Sequence, residues 1–463
     1  MNQFDVIVIG SGPGGYTTAI RASQLGFKTA IIEKEQLGGV CLNWGCIPTK
    51  ALLKNAELMN SMKHMQNFGI TFDNLNFDFE KIISRSRGVA DVSEKGVRYL
   101  MKKNKIEVFE GAALFNKDKS LSVLNKSGKE INKLSADHII IATGARARTI
   151  GNINFDEEKI MSSTGAMIAK KVPQKLTIVG SGAIGIEFAY FYNAFGSEVT
   201  IIEMLPNILP VEDKDISDVV AKEFKKNGIK ILTETKTESV EIKNDKVVTK
   251  VSGKNNEELI SDVVLIAIGV QGNIEKLGLE NIGVITEKNS IKVDKNYKTN
   301  VEGIYAIGDV IGPPWLAHVA SSEGINCIEK IKGMHVPDID YSTIPGCTYC
   351  QPQVASVGLT EKKAKEEGYD IAVGKFPFSA SGKSRAMGDT AGMIKVIFDK
   401  KYDELIGAHI VGAEATELIT EFVLAKSLEA THEQILKTVH AHPTLSEANM
   451  EAVGVAYNEA INI

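Results

Sequence analysis

Runs of consecutive apolar residues that end in glycine recur along this chain. They are Val6 to Ile9, "HIIIATGA" (138–145), "VVLIAIGV" (263–270) and "GIYAIGDV" (303–310). Such runs predict strands that are buried on both faces, as in a parallel sheet covered by helices. Between them the pattern predicts helices at 16–25, 52–65 and 79–101 and strands around 105–115. The chain is therefore expected to begin as an α/β protein.

The pattern changes after about residue 341. Short strand-like stretches alternate there with amphipathic helices such as "ATELITEFVLAKSLEA". The strand-like stretches are "VASVGLT", "MIKVIFD" and "LIGAHIVG". This arrangement is typical of an α+β fold and predicts a separate C-terminal domain at 342–463.

One glycine-rich device occurs twice, each time directly after a predicted strand and before a predicted helix. Its glycines are Gly10, Gly12 and Gly15 in the first copy and Gly180, Gly182 and Gly185 in the second, at an offset of 170 residues. In this fingerprint the first glycine makes a tight turn and the second lets the backbone approach a pyrophosphate. The third lets the helix pack on the strand. The repeat predicts two Rossmann-like dinucleotide-binding domains.

An acidic residue ends the second strand of each copy, Glu33 in the first and Glu203 in the second. An acidic side chain at this place accepts hydrogen bonds from ribose hydroxyls. Glu203 would repel a 2′-phosphate, and "MLPNILP" after it offers no Arg or Lys, so the second copy is predicted to bind NAD. Two dinucleotides imply an electron donor and an acceptor. A flavin, FAD, in the first domain and a nicotinamide in the second would let hydride pass between them.

The apolar runs also suggest where the domains begin and end. The runs at 138–145 and 263–270 bracket the second fingerprint, so we place an NAD-binding domain at 150–271. It would be inserted between two segments of the FAD-binding domain, 1–149 and 272–341. The run at 303–310 would return the chain to the first domain and bring Asp309 there.

Composition narrows the class of protein. The chain has 463 residues with 43% hydrophobic and 24% charged residues, which indicates several soluble globular domains. A net charge of −5 favours neither nucleic acid nor an anionic membrane, and no apolar run is long enough for a membrane span. Five cysteines do not make a disulfide framework, and the N-terminus lacks the basic region of a signal peptide. We expect a cytoplasmic protein.

Two of those cysteines, Cys41 and Cys46, lie within "GGVCLNWGCIPTKALL". They could bind a metal, although no second pair or histidine is nearby, they could be inert buried thiols, or they could form a redox-active disulfide. Cα atoms five residues apart in a helix are roughly 8–9 Å apart, whereas a disulfide needs about 4.4–6.8 Å. Cys41 is therefore expected on an irregular turn made possible by Gly45, with Cys46 near a helix start. That helix start and Lys50, four residues on, favour the Cys46 thiolate.

Dithiol chemistry also needs a base, because the thiolate is the attacking form. "HAHPTLSEANMEAVG" near the C-terminus offers His442, with Glu447 five residues on as the group that could orient it. A structural histidine is the alternative. His440 has no such partner by spacing.

Together these motifs resemble the flavin-dependent pyridine nucleotide–disulfide oxidoreductases over essentially the whole chain, and in particular the members that act on lipoamide. The cysteine segment resembles the active disulfide motif, "HAHPTLSE" resembles the active-site base motif, and "AIGD" with "WLAHVASSEG" resembles the second flavin-binding segment. Related glutathione and mercuric reductases typically have Cys-Val-Asn and favour NADP. Here Cys41-Leu42-Asn43, Cys46-Ile47-Pro48 and Glu203 favour the lipoamide enzymes.

The resemblance implies roles for single residues. Cys41 would be the thiol that meets the substrate and Cys46 the thiolate beside the flavin ring, while Lys50 would pair with Glu187 near the reactive flavin nitrogen. FAD would be held by Gly10, Gly12, Gly15, Glu33, Lys50, Ala113, Gly144, Asp309 and Ala317. NAD would be held by Gly180, Gly182, Gly185, Glu203 and Gly269.

The resemblance also implies a homodimer in which the C-terminal domain forms the interface and His442 with Glu447 acts on the disulfide of the other subunit. The implied reaction is oxidation of dihydrolipoamide to lipoamide with transfer of electrons to NAD⁺, within a 2-oxoacid dehydrogenase or a glycine cleavage system. No lipoyl-domain sequence precedes Met1, so we expect the lipoamide on a separate protein. Two rivals remain open: a disulfide reductase of this architecture with another small substrate, and a non-catalytic scaffold of a multienzyme assembly.

The chain departs from the family pattern at several positions. Trp44 stands where the motif usually has Val, and "GVQGN" (269–273) replaces Gly-Arg-x-Pro-Asn, so an Arg near the cofactors is missing. Cys347 and Cys350 could suggest a metal or redox pair, and we expect reduced structural thiols. Cys327 is expected to be a small core residue.

Overall fold

The computed structural model describes residues 2–151 and 153–463, which divide into two compact units. The first unit contains the described residues up to Leu52 together with Glu80–Arg148 and Gly269–Ile339. The second contains Leu53–Phe79, the described residues of Thr149–Ile268, and Asp340–Ile463. Both units combine strands and helices, which confirms the predicted α/β class.

A seven-stranded sheet forms the centre of the first unit in the described part of the chain. Its path is Glu107–Glu110, Thr29–Glu33, Asn2–Ile9, Glu130–Ile141, Leu121–Leu124 and Ala112–Phe115, with Ile304–Ala306 also paired to Glu130–Ile141. The pairing of Ile304–Ala306 is parallel, so the chain returns to this sheet as the apolar run at 303–310 predicts. Ile7 and Ile9 belong to one buried cluster and Val6 and Val8 to another, because both faces of the strand are covered.

Helices and short strand pairs complete the first unit. The helices that lie wholly in this unit are Pro13–Gln24, Gly39–Trp44, Leu279–Ile282 and Ala317–Ile331, and a 3₁₀ turn lies at Gly308–Ile311. Two further helices belong to it in part: Cys46–Lys63 as far as Leu52, and Phe79–Lys103 from Glu80 onward. The strand pairs are Ala145–Ala147 with Val270–Gly272 and Thr286–Glu287 with Ser290–Ile291.

The second unit contains a parallel sheet built around the second fingerprint. Its strands lie in the order Lys230–Leu232, Glu198–Ile202, Lys175–Val179, Val263–Ile266 and Ile160–Met161. An antiparallel sheet follows, with strands Thr235–Lys243, Lys246–Gly253 and Glu257–Ser261. The helices of this part are Ser163–Met167, Ala183–Ala194 and Lys214–Lys226, and a 3₁₀ turn spans Met65–Phe68.

The C-terminal part of the second unit is α+β, as predicted. Its antiparallel sheet has the order Gly346–Thr348, Gln353–Gly358, Glu404–Gly412, Met393–Asp399 and Ile371–Pro377. The helices are Glu361–Glu366, Gly382–Met387, Ala415–Ser427, His432–Lys437 and Glu447–Tyr457, and 3₁₀ turns lie at Tyr341–Thr343 and Phe378–Ala380. Within residues 2–151 and 153–463, no helix has the length and apolar character that crossing a membrane requires.

Candidate active site

The first glycine-rich loop has the geometry that its fingerprint predicts. Gly10 has φ +97°, and a Cβ on it would lie 2.4 Å from the carbonyl oxygen of Ala142. A Cβ on Gly15 would lie 1.9 Å from the Gly10 carbonyl oxygen, so only glycine lets the helix start so close to the turn. Gly12 faces open space, with nothing within 4 Å of its missing Cβ. The turn, the helix contact and the open side fit a dinucleotide pyrophosphate.

The second loop repeats this geometry. Gly180 has φ +99°, and its Cβ would lie 2.4 Å from the carbonyl oxygen of Ala267. A Cβ on Gly185 would lie 2.1 Å from the Gly180 oxygen, and Gly182 again faces open space.

The acidic residue of each copy also holds its own loop, a contact that the sequence analysis missed. Glu33 Oε2 accepts from the backbone N of Ser11 at 2.9 Å and from its Oγ at 2.6 Å. Glu203 accepts in the same way from Ser181, at 3.0 and 2.6 Å. The two serines recur at the same offset of 170 residues as the glycines, and this recurrence in the sequence could have indicated that they share a role. Contact with ribose remains a prediction for both glutamates.

The segment Gly38–Lys50, here the redox segment, packs directly on the first loop. The backbone N of Gly38 donates to the Ser11 carbonyl oxygen at 3.0 Å. A Cβ on Gly39 would lie 2.7 Å from the Cα of Gly12, and Gly39 has φ +59°, so this close approach requires glycine. The cysteines are thereby placed next to a dinucleotide-binding loop within the first unit.

The local conformation around the cysteines corrects one prediction. Cys41 lies in a short helix, Gly39–Trp44, and not on an irregular turn. The irregular residue is Gly45, with φ −149° and ψ −117°, and the next helix begins at Cys46 as predicted. Each cysteine therefore belongs to its own helix, and the break between the helices brings the side chains together.

The side chains of Cys41 and Cys46 contact each other through a hydrogen bond. Their mutual hydrogen bond and burial raise the pKa of Cys41 well above its usual range, while the charge of Lys50 acts in the opposite direction. Cys41 is half-buried, whereas Cys46 is exposed. The advantage of a helix start for the Cys46 thiolate stays a prediction.

Three successive residues of the helix Phe79–Lys103 bind backbone carbonyls of the redox segment and its helix. Arg85 donates to Ala51, Ser86 donates to Pro48, and Arg87 donates to Asn43. The Arg87 guanidinium also lies 4.3 Å from the centre of the Trp44 ring, in a cation–π contact. The unusual Trp44 thus has a defined partner.

All residues predicted to hold FAD lie in the first unit. Gly144 has φ +66° and faces open space, Ala113 lies in the strand Ala112–Phe115, and Ala317 begins the helix Ala317–Ile331. Asp309 follows the returning strand, and burial together with the charge of Glu323 raises its pKa to about 6. These residues and the open side of Gly12 fit a flavin dinucleotide.

The residues predicted to hold NAD are divided between the units. Gly180, Gly182, Gly185 and Glu203 belong to the second, whereas Gly269 belongs to the first. Gly269 has φ +111° and faces open space. The residues after it pair with Ala145–Ala147, which places Gln271 opposite Arg146. The Arg146 guanidinium donates to the Glu275 carboxylate at 2.8 Å.

Glu187 and the additional cysteines have separate surroundings. The buried Glu187 carboxylate accepts from the backbone N of Tyr349 at 3.0 Å. Cys347 is half-buried, and the buried Cys350 Sγ donates to the Pro352 carbonyl oxygen at 3.1 Å. Lys50 belongs to the first unit, so its pairing with Glu187 stays a prediction. Cys327 is fully buried in a core cluster, which confirms its predicted role.

His442 and Glu447 form the pair that their spacing suggests. His442 Nδ1 lies 2.8 Å from Glu447 Oε1, and the backbone N of Thr444 donates to Glu447 Oε2 at 2.8 Å. The Thr444 and His442 hydrogen bonds lower the pKa of Glu447. The His442 side chain is 81% exposed, and within the described chain no residue bonds its Nε2. This nitrogen can meet a group from outside the chain.

His440, which has no carboxylate partner by spacing within its motif, has one from elsewhere in the chain. Its Nε2 lies 2.8 Å from Glu421 Oε1, and its side chain is buried. Glu421 comes from a different helix, 19 residues earlier, so spacing within the motif could not reveal it.

Comparison with protein families defines the class. The model for pyridine nucleotide-disulphide oxidoreductase matches residues 4–324, and the model for the dimerisation domain of the same family matches residues 344–453. The chain therefore belongs to the pyridine nucleotide-disulphide oxidoreductase family. It is an enzyme with FAD and NAD(H) as cofactors, as predicted.

Individual relatives and solved structures show which members of the family this chain is similar to. The chain is 49% identical to the dihydrolipoyl dehydrogenase of Rhizobium etli, with 99% of each chain covered. It is 47% identical to that of Zymomonas mobilis, over 100% of this chain and 99% of the relative. Among solved structures it is similar to the HOCl-induced flavoprotein disulfide reductase RclA from Escherichia coli, with a TM-score of 0.86, 28% identity and coverage of 97% and 99%. LpdA from Mycobacterium tuberculosis, with a TM-score of 0.91, 23% identity and coverage of 98% and 99%, shares the fold.

Proposed function

We propose that this enzyme oxidises dihydrolipoamide to lipoamide through a Cys41–Cys46 disulfide and delivers the electrons to NAD⁺. The observation that carries the substrate assignment is the 49% identity to a dihydrolipoyl dehydrogenase over 99% of both chains. The reaction class is supported by two contacting cysteines on a segment that packs against a dinucleotide-binding loop.

Binding of the cofactors is assigned to the residues named above. FAD would be held by Gly10, Gly12, Gly15, Glu33, Lys50, Ala113, Gly144, Asp309 and Ala317, and NAD by Gly180, Gly182, Gly185, Glu203 and Gly269. The flavin, when bound, supplies the two-electron link between the dithiol and the nicotinamide. Glu187 supports this centre as the partner of Lys50.

The thiol exchange uses the chain's own groups. His442, oriented by Glu447, takes the proton of one substrate thiol, and the resulting thiolate attacks the Sγ of Cys41 in the disulfide. The Cys41–Cys46 bond breaks and Cys46 leaves as a thiolate. The second substrate sulfur then attacks the mixed disulfide, lipoamide closes, and Cys41 leaves with the second thiol's proton. The first proton stays on His442, and the cysteine pair has gained two electrons.

The family's dimerisation domain supports a homodimer, in which we place His442 opposite the Cys41–Cys46 pair of the other subunit. We keep the domain assignment of 1–149 and 272–341 for FAD, 150–271 for NAD and 342–463 for the interface. The lipoamide is proposed to arrive on a lipoyl domain of a separate protein. Five cysteines in 463 residues favour a reducing compartment, the cytoplasm.

Steady-state turnover of dihydrolipoamide with NAD⁺ tests the proposal. His442→Gln should lower the rate by about 10²–10⁴, the usual contribution of a general base. His64→Gln, which changes an exposed histidine just after the helix Cys46–Lys63, is the matched control and should retain wild-type turnover. A His442 variant that keeps more than about a tenth of the rate would remove the base from the mechanism. Faster NADH-dependent reduction of glutathione disulfide than of lipoamide would contradict the substrate.

A further inference from the structure

A second histidine–glutamate pair lies two residues before the proposed base. The His440 side chain is 6% exposed, and its Nε2 lies 2.8 Å from Oε1 of Glu421 in the helix Ala415–Ser427. Its Nδ1 lies 2.9 Å from the carbonyl oxygen of Thr438. His442, by contrast, is exposed and uses Nδ1 for Glu447. The two histidines therefore differ in burial and in how many ring nitrogens are bonded.

Both hydrogen-bond partners of His440 are acceptors. A backbone carbonyl oxygen carries no proton, and an ionised carboxylate only accepts. Each ring nitrogen must therefore donate, and an imidazole that donates from both nitrogens is the imidazolium cation. The contacts of His440 with Thr438 and Glu421 thus fit the imidazolium form of the ring in the loop that carries His442.

The carboxylate opposite this charge is also held from a second side. Glu421 Oε2 accepts from Asn449 Nδ2 at 2.8 Å, and Asn449 is fully buried. Asn449 lies on the helix Glu447–Tyr457, which begins with the residue that orients the base. The three residues His440, Glu421 and Asn449, here the brace, therefore tie the loop of His442 and the helix of Glu447 to one carboxylate.

We propose that His440 is a positioning residue for the base: as the imidazolium of the brace it fixes the loop of His442 against the Glu447 helix and balances the Glu421 charge there. This inference rests on the proposed function, because it takes His442 as the group that accepts the substrate proton. The charge of His440 also contributes to the lowered pKa of Glu447, after the Thr444 and His442 hydrogen bonds. The titratable groups joined through these contacts are Glu421, His440, His442 and Glu447.

The pH profile of dihydrolipoamide turnover tests this charge. His440→Gln removes the cation and leaves the Glu421 carboxylate uncompensated, which favours the protonated form of His442. The acid limb of the profile should therefore move upward by about half a pH unit, the scale of one charge at intermediate distance near a protein surface. The double variant His440→Gln/Glu421→Gln removes both charges, so its acid limb should return toward the wild-type position. His64→Gln is the matched control and should leave the limb in place.

A purely structural role would give a different result. It would lower the rate or the stability of His440→Gln and of the double variant alike, with the acid limb unmoved, and that outcome overturns the proposal. The ¹⁵N resonances of His440 provide a readout without turnover: both nitrogens should be protonated at neutral pH, and a neutral ring would overturn it too. If His442→Gln itself keeps its turnover, the proposed function fails, and the resonances of His440 still decide whether the brace holds a cation.

Discussion

After the first glycine-rich loop and Glu33 comes the redox segment, whereas after the second loop and Glu203 comes Met204–Asp215, here the anchor segment. The redox segment carries a contacting cysteine pair, with one cysteine in each of two successive helices. The anchor segment contains instead Asp213, whose carboxylate lies 2.8 Å from the buried ammonium group of Lys395. Asp215 and Glu361 each lie 2.7 Å from the same group.

The two copies share the glycine-rich loop and differ in the segment that follows it. The nucleotide-binding loop and the redox-active groups are therefore separate parts of this fold. Both loops share the glycine geometry and the serine–glutamate contacts. The following segment is where the copies diverge, toward redox chemistry in one and toward a buried ion cluster in the other. The cysteine pair of the redox segment has no counterpart after the second loop, and this difference between the two copies marks where the redox chemistry lies.

The largest effects should come from adding a methyl group to the helix-contact glycine of either loop. Gly15→Ala would place a Cβ 1.9 Å from the Gly10 carbonyl oxygen, so we expect loss of the flavin and of all turnover. Gly185→Ala places its Cβ 2.1 Å from the Gly180 oxygen and should abolish NAD⁺ reduction while the flavin stays bound. The absorbance spectrum and NADH formation measure both. Flavin loss from Gly185→Ala with retention in Gly15→Ala would reverse the cofactor assignment.

Removal of one sulfur from the redox segment should abolish turnover while leaving both nucleotide sites intact. Cys46→Ser lacks the sulfur that leaves as a thiolate in the proposed exchange, so lipoamide turnover should fall to background although FAD remains bound. Cys327→Ala, at a buried core thiol of the same unit, is the control and should keep most of the turnover. Substantial lipoamide turnover by Cys46→Ser would show that the pair is not the route of the electrons.

Substitution of Lys395, the partner of the anchor segment, should lower the stability of the protein. Lys395→Met leaves three carboxylates around a buried apolar side chain, so the free energy of unfolding should fall by about 3–5 kcal/mol, the cost of breaking a buried ion pair from one side. Thermal or urea unfolding of the FAD-loaded enzyme measures it, with Lys375→Met as the control at an exposed lysine that also contacts Asp215. Equal losses of unfolding free energy in Lys395→Met and Lys375→Met would contradict a special contribution of the buried ion cluster to stability.

The same cluster predicts a pH effect. Hydrogen bonds from Lys365 and Lys395 lower the pKa of Glu361 to about 2. Although partial burial raises the pKa of Asp215, hydrogen bonds from Lys375 and Lys395 bring it to about 2. Because both values lie below those of the unfolded chain, this stabilisation is present above about pH 4 and is lost as the pH falls toward 2. The acid unfolding midpoint should rise in Lys395→Met, and an unchanged midpoint would contradict this.

The smallest effect on stability and turnover is expected from loss of the cation–π contact between Trp44 and Arg87. Trp44→Val restores the usual family residue and removes the contact with Arg87, for which we expect a loss of about 0.5–1 kcal/mol in stability. Turnover should stay within a few fold of wild type. A large loss of turnover with unchanged stability would instead give Trp44 a direct role at the cysteines.

Local and repeated features were predictable from the sequence, because glycine geometry and apolar runs act over a few residues. The two fingerprints, the helix start at Cys46 and the His442–Glu447 pair all follow from such patterns. The contacts of His440 with Glu421 and of Lys395 with Asp213 join residues that lie far apart along the chain, and no local pattern reports them. The short helix of Cys41 was missed because one residue, Gly45, takes up the whole irregularity.

The most direct test of the central claim is an absorbance spectrum of the FAD-loaded protein during anaerobic titration with NADH. If Cys41 and Cys46 exchange electrons with the flavin, two-electron reduction should produce a long-wavelength band from the Cys46 thiolate beside it, and Cys46→Ser should lack that band. A flavin that bleaches directly in the wild-type protein, without the band, would contradict the assignment of this cysteine pair as the redox centre.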